Sequence, residues 1–362
     1  MMIIRILFLV FLSVSVLNLS AETPKSSKKE LKTPPRIIRT CCAFGYDLNL
    51  AGIPFKKLTH ITSIDQLGEH TYLGSKNEGN GLIYTKRGGF IDIGHLRDQS
   101  DWMKYIFTLI QENGDVAEIY RKLGYEGGSK TLMIKTQADI DSADFILLAG
   151  KIAFDLSLWH ELSTWFGASY VPMMPERYSS FSVEDVYSNL LGVLIGIEAL
   201  KSDLPYDEAM TKILYQTLVD LEAVNDEQGT YDALEVVRDV WWTAEKRLPN
   251  KDVLIQRDTE VHTIVRPWIV PDSNLASEPY ILEVPKRTSE GAPLNDYYTL
   301  NIDLNYKFPV KEIFPERESR VISQQDLDAM LQRVAYELCE QGYHCTELSN
   351  VNSTQNNTQL IQ

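Results

Sequence analysis

The stretch from Ser142 to Phe166 is rich in Leu, Trp and Phe, and its spacing predicts one long helix ended by Gly167, a natural residue just past a helix C-terminus. Within it stands Trp159-His-Glu-Leu-Ser-Thr-Trp165. A His–Glu pair in such apolar surroundings is costly to bury unless a cavity, a metal or polar partners meet it. The fold must therefore bring something to His160 and Glu161.

The rest of the chain can build a core around this helix. Of its 362 residues, 44% are hydrophobic and 23% charged, which excludes a disordered, collagen-like or low-complexity chain. A net charge of -15 argues against nucleic acid as a partner, since a phosphate-backbone binder needs clustered Lys and Arg. Residues 37–94 read as strand and loop. Gly81-Leu-Ile-Tyr-Thr85 and Gly89-Phe-Ile-Asp-Ile93 flank a Lys-Arg-Gly turn and predict a hairpin. From about 95 to 246 the reading is mostly helical. Helices are expected over His95–Gln111, Ser142–Phe166, Ser182–Leu200, Tyr206–Val224 and Gly229–Lys246. Ser182 with Asp185 three residues on makes a capping-box-like start. Extended, Pro-containing segments follow Pro249, then a last helix near Gln324–Gln341. The expectation is an α+β protein with one main domain over 37–345. Its helical centre packs with β-hairpin-containing N-terminal and C-terminal parts, the latter over 250–345.

The two ends read differently. Arg5 followed by the apolar run Ile6–Leu17 and the small residues Ser20-Ala21 reads as a secretory signal peptide over 1–21. An uncleaved anchor is the alternative. Residues 22–36 read as a polar linker and 346–362 as a disordered tail. A periplasmic or secreted, soluble mature protein follows, with no transmembrane segment once the signal is removed. In that compartment Cys41, Cys42, Cys339 and Cys345 are free to form disulfides, with three pairings open. No CxxC pair supports a zinc finger or a thioredoxin-type site.

Three segments carry candidate chemistry. His95 follows a strand-like run and opens a helix in Gly89-Phe-Ile-Asp-Ile-Gly-His-Leu-Arg-Asp98, with Asp98 on the same helical face. His160-Glu161 is the second. In helical zinc hydrolases a His binds the metal and the next residue, Glu, activates the water, but HExxH needs a second His where this chain has Thr164. The third, Ser179-Ser-Phe-Ser-Val-Glu-Asp-Val-Tyr-Ser-Asn189, places Glu184, Asp185 and Asn189 on a later helix start. Helix N-termini favour acids for their own sake, so a purely structural role is the rival for this segment.

Pro35-Arg-Ile-Ile-Arg-Thr-Cys-Cys-Ala-Phe-Gly-Tyr46, Gly81 to Asp98, Trp159-His-Glu161 and Ser179 to Asn189 together resemble the hallmarks of a bacterial domain-of-unknown-function family of exported proteins, over about residues 35–345. That resemblance implies export and no particular activity. In order and spacing, the His-Glu helix followed by an acidic helix is also similar in logic to gluzincin zinc metallopeptidases. This second resemblance implies zinc held by His95, His160 and Glu184 or Asp185. Glu161 is then the general base, with Asp98 and Asn189 orienting the ligands and Arg97 binding a substrate carboxylate. The expected function is an exported metal-dependent hydrolase acting on a peptide or another envelope amide bond. Two rivals stand beside it: a non-catalytic envelope protein with a structural polar cluster, and a thiol enzyme pairing Cys41 or Cys42 with His95 or His70.

Overall fold

The computed structural model describes residues 33–343 except 36–38, 40–42, 51–56, 59–60, 137–139, 169–175, 249–251, 262 and 273. The expected signal segment and tail, and all but 33–35 of the expected linker, lie outside the described residues, as do Cys41, Cys42 and Cys345.

Among the described residues the chain opens with two short strands, β1 (Leu48–Leu50) and β2 (Lys57–Leu58), followed by a hairpin of β3 (Leu82–Thr85) and β4 (Gly89–Asp92) that runs directly into helix α1 (Ile93–Glu112). A second hairpin, β5 (Glu118–Tyr125) and β6 (Gly128–Lys135), leads to four helices, α2 (Phe145–Trp165), α3 (Asp185–Lys201), α4 (Tyr206–Asp220) and α5 (Glu227–Val236). The strands β7 (Arg247–Leu248), β8 (Ile264–Val265), β9 (Leu282–Glu283) and β10 (Tyr298–Leu304) come next. One-turn helix α6 (Val310–Ile313), β11 (Val321–Ile322) and α7 (Leu327–Glu340) close the order. The architecture is α+β, with a helical core flanked by hairpins. No described helix is long and apolar enough to cross a membrane.

At the centre, α1, α2 and α3 pack on one another, and α2 is buried along nearly its whole length, as its Leu, Trp and Phe content requires. The α1–α3 crossing is close because α3 carries two glycines one turn apart. A Cβ on Gly192 would lie 2.1 Å from the Leu96 carbonyl oxygen, and one on Gly196 would lie 3.1 Å from Met103 Cγ. The strand-to-helix passage is equally tight. Asp92 ends β4, caps α1 by accepting the His95 backbone N–H at 3.0 Å, and donates its own N–H to Ser188 Oγ on α3 at 2.9 Å. This holds the first turn of α1 against α3.

Two expectations change. The region between α1 and α2 is a long antiparallel hairpin, not part of a helical centre. Its strands alternate buried and exposed side chains, and β6 pairs with β10 to give a four-stranded sheet in the order β11-β10-β6-β5. That alternation, broken by Gly127-Gly128, is a strand signal readable in the sequence. The fifth helix stops at Val236, not Lys246. Asp239 takes a left-handed φ of 59°, and Trp241 and Trp242 turn into a second apolar cluster, where Trp242 donates its indole N–H to the Leu234 carbonyl at 3.0 Å. Tertiary packing of two large aromatic side chains overrides the local helical pattern.

Candidate metal centre

Three side chains from two helices converge beside the N-terminus of α1. His95 stands in its first turn, and His160 and Glu161 lie near the end of α2. The rings of His95 and His160 meet edge-on, with centroids 6.0 Å apart at 72°. One donor atom from each of His95, His160 and Glu161 lies within 4.8 Å of the other two, so the three could hold a metal ion. Two imidazoles and a carboxylate suit a transition-metal cation, zinc among them.

Each donor is held from behind. His160 Nδ1 lies 2.7 Å from Glu126 Oε1, and Glu126 also pairs with Lys130. Burial disfavours the imidazolium of His160, but the Glu126 hydrogen bond and charge outweigh it, with Glu161 and Glu176 adding, and its pKa sits above the ordinary 6.5. Burial would also raise the Glu126 carboxyl. The charge of Lys130 and the contact with His160 hold it far below the usual range instead. His95 Nδ1 faces Asp185 Oδ1 at 3.7 Å. Glu161 Oε2 accepts the backbone N–H of Phe181 at 3.0 Å, and Phe181 is fixed in the left-handed region at φ 57°. A bulky residue in that conformation is strained, and such strain concentrates where geometry serves function.

The acids of the third segment form one wall of the centre. Asp185 accepts the Ser182 N–H at 2.8 Å, and Glu184 accepts the Ser182 hydroxyl. Burial pushes the Glu184 carboxyl up to about 8, with the charges of Asp92 and Glu161 pushing the same way. Burial, then Glu161, Glu184 and Asp92, drive Asp185 well above its ordinary 3.8. Carboxylates gathered in a buried site repel one another until protons or a cation neutralise them. Three acceptors of this region, Glu161 Oε1, Glu184 Oε1 and Asn189 Oδ1, are buried without a hydrogen-bond partner. Buried acceptors seldom stay unserved.

The structure thus joins His95 and His160 as expected from sequence, and it adds Glu161 as the third donor. Glu184 and Asp185 lie alongside that trio. Thr164, where HExxH has its second His, gives its hydroxyl to the carbonyls of His160 and Glu161, and His95 of α1 stands facing His160 instead.

Asp98 and Arg97 belong elsewhere. Asp98 points away from His95 to Arg39, whose guanidinium donates to Asp98 and Asp101 at 2.8 Å each and grips Glu78 through two nitrogens at 2.7 and 2.9 Å. Arg97 is fully buried and donates to the carbonyls of Leu67, Gly68 and Gly79. Neither is placed to orient a ligand or to greet a substrate. Asn189 makes no hydrogen bond through Oδ1 that would orient a histidine. His70, one expected partner for a thiol, lies 3.2 Å from Asp101 and edge-on to Tyr206. Glu126 is the functional residue that the sequence reading does not supply, since its role lies in the contact with His160 and in no local pattern.

A family model described as a protein of unknown function, DUF4056, matches residues 29–271. The chain belongs to this family. Every residue of the centre falls within the DUF4056 match, the β5–β6 hairpin included, whereas β9 to α7 lie beyond it. No curated protein and no solved structure matches the chain.

Proposed function

We propose that the chain is a metal-dependent hydrolase whose cation is held by His95, His160 and Glu161. The observation that carries this reading is the convergence of their donor atoms within 4.8 Å in a buried site. A bound cation, zinc in the first instance, would polarise a substrate carbonyl and lower the pKa of water. Glu161 serves here as a ligand and not as the base, because its carboxylate joins both imidazoles. The base role passes to Glu184. Its Oε1 is buried without a hydrogen-bond partner, and a bound cation would favour its ionised form, which is the form that takes a proton from water and returns it to a leaving amine. A peptide or another envelope amide is the proposed substrate, and export of the chain rests on its N-terminal sequence.

One observation favours a second reading. His95 and His160 are only 5% and 6% exposed, as suits a polar cluster that fixes helix packing in a non-catalytic protein. Metal analysis of purified protein separates the two. The hydrolase reading expects about one zinc per chain, and amide hydrolysis that is lost in chelator and restored by zinc. A metal-free protein whose thermal stability ignores added zinc would leave the structural cluster as the account.

A further inference from the structure

We infer that Glu126, at the turn of the β5–β6 hairpin, is the positioning residue of the cation site and that Lys130 keeps it in its working state. This rests on the metal-centre reading above. The turn is fastened to α2 by two consecutive residues. Trp159 donates its indole N–H to the Glu126 carbonyl oxygen at 3.0 Å, and His160 meets the Glu126 carboxylate through Nδ1 at 2.7 Å. Gly127 allows the close approach: its φ is +64°, and a Cβ there would stand 2.8 Å from the Phe308 ring and 3.2 Å from Ser163 Cβ. The backbone of the turn is therefore fixed relative to the imidazole it serves.

The side-chain chemistry follows. With Glu126 ionised, Nδ1 of His160 carries the proton and donates it, so Nε2 is the nitrogen with a lone pair for a cation. The carboxylate fixes the ring orientation and makes that nitrogen a better donor. A lone carboxylate would be expensive at 5% exposure. Lys130, four residues on in β6 and itself buried, pairs with the other carboxylate oxygen and has its ammonium 5.7 Å from the Trp102 ring centroid. Glu126 and Lys130 together thus form a neutral pair, one end of which is spent on His160. The hairpin contributes no ligand, yet it sets the ligand's direction.

The experiment is cobalt(II) titration followed by visible absorption, on the full chain and on Glu126→Gln, Glu126→Gln with Lys130→Met, and His160→Ala, each with its cation-free melting temperature. Glu126→Gln should bind cobalt about 10–100-fold more weakly with an altered ligand-field spectrum. The double variant, which leaves no unpaired ammonium, should show the same loss with a melting temperature near that of the parent. Parental affinity and spectrum in a folded Glu126 variant, with binding lost in His160→Ala, overturn the positioning role alone. A parent chain that binds no cobalt, or a His160→Ala variant that binds like the parent, overturns the metal-centre reading and this inference with it.

Discussion

His95 and His160 meet edge-on at 6.0 Å between ring centroids although the whole β5–β6 hairpin separates their helices in the chain. Histidine pairs at i and i+4 come to one face of a helix by periodicity alone. This pair is assembled by the packing of α1 on α2, so its existence depends on tertiary structure, and its loss should be read in metal binding before it is read in fold.

Replacing either imidazole, His95→Ala or His160→Ala, should therefore reduce zinc affinity by more than the about 10–100-fold that loss of an outer partner costs. Glu161→Gln should do the same, because its carboxylate is one of the three donors. Competition against a chromophoric chelator measures all three. Full zinc binding by Glu161→Gln would return that residue to the role of base.

Zinc should stabilise the folded chain. A cation that binds only the native state adds about 2.7 kcal/mol at a hundredfold excess over its dissociation constant. Scanning calorimetry with and without chelator should show a rise in melting temperature that vanishes in His95→Ala.

The cation-free protein should lose stability as pH rises from about 5 to 8. Glu184 keeps its proton up to about 8 in the fold against an ordinary 4.5, and Asp98 up to about 8 against 3.8. The unfolded chain gives up both protons lower down. The native state therefore holds more protons throughout that interval, and its stability falls with rising pH. Urea midpoints at pH 5, 6.5 and 8 test this. Saturating zinc should remove the Glu184 share of the slope and leave the Asp98 share, so a slope unchanged by zinc would place Glu184 away from the cation.

Arg39→Met should destabilise the chain by about 3–5 kcal/mol, since it leaves the Glu78 carboxylate buried without its principal cation and removes the hydrogen bonds to Asp98 and Asp101. Zinc affinity of the folded fraction should stay at the parental value. A large loss of affinity in Arg39→Met would mean that the two charge clusters on either side of α1 are coupled.

Much of this arrangement was open to reading in the sequence. His160-Glu161 in an apolar helix and His95 at a strand–helix junction are local anomalies, and local anomalies survive without coordinates. The hairpin β3–β4 and the starts of α1, α3 and α4 followed from turn residues and spacing. Asp98 was misassigned because helical spacing gives a shared face but not the neighbour across it, and that neighbour is Arg39, 59 residues away. Glu126 was out of reach for the same reason. Its importance lies in a contact 34 residues distant, and no feature of Tyr-Glu-Gly-Gly announces it.

Gly192 has no side chain to offer any ligand. The Leu96 carbonyl nevertheless occupies the place where its methyl would be, and Leu96 is the residue after His95, while Asp185 stands two turns before Gly192 on α3. The helix crossing consequently works as a gauge block. The gap between the imidazole of one helix and the acidic wall of the other is machined by a missing methyl group.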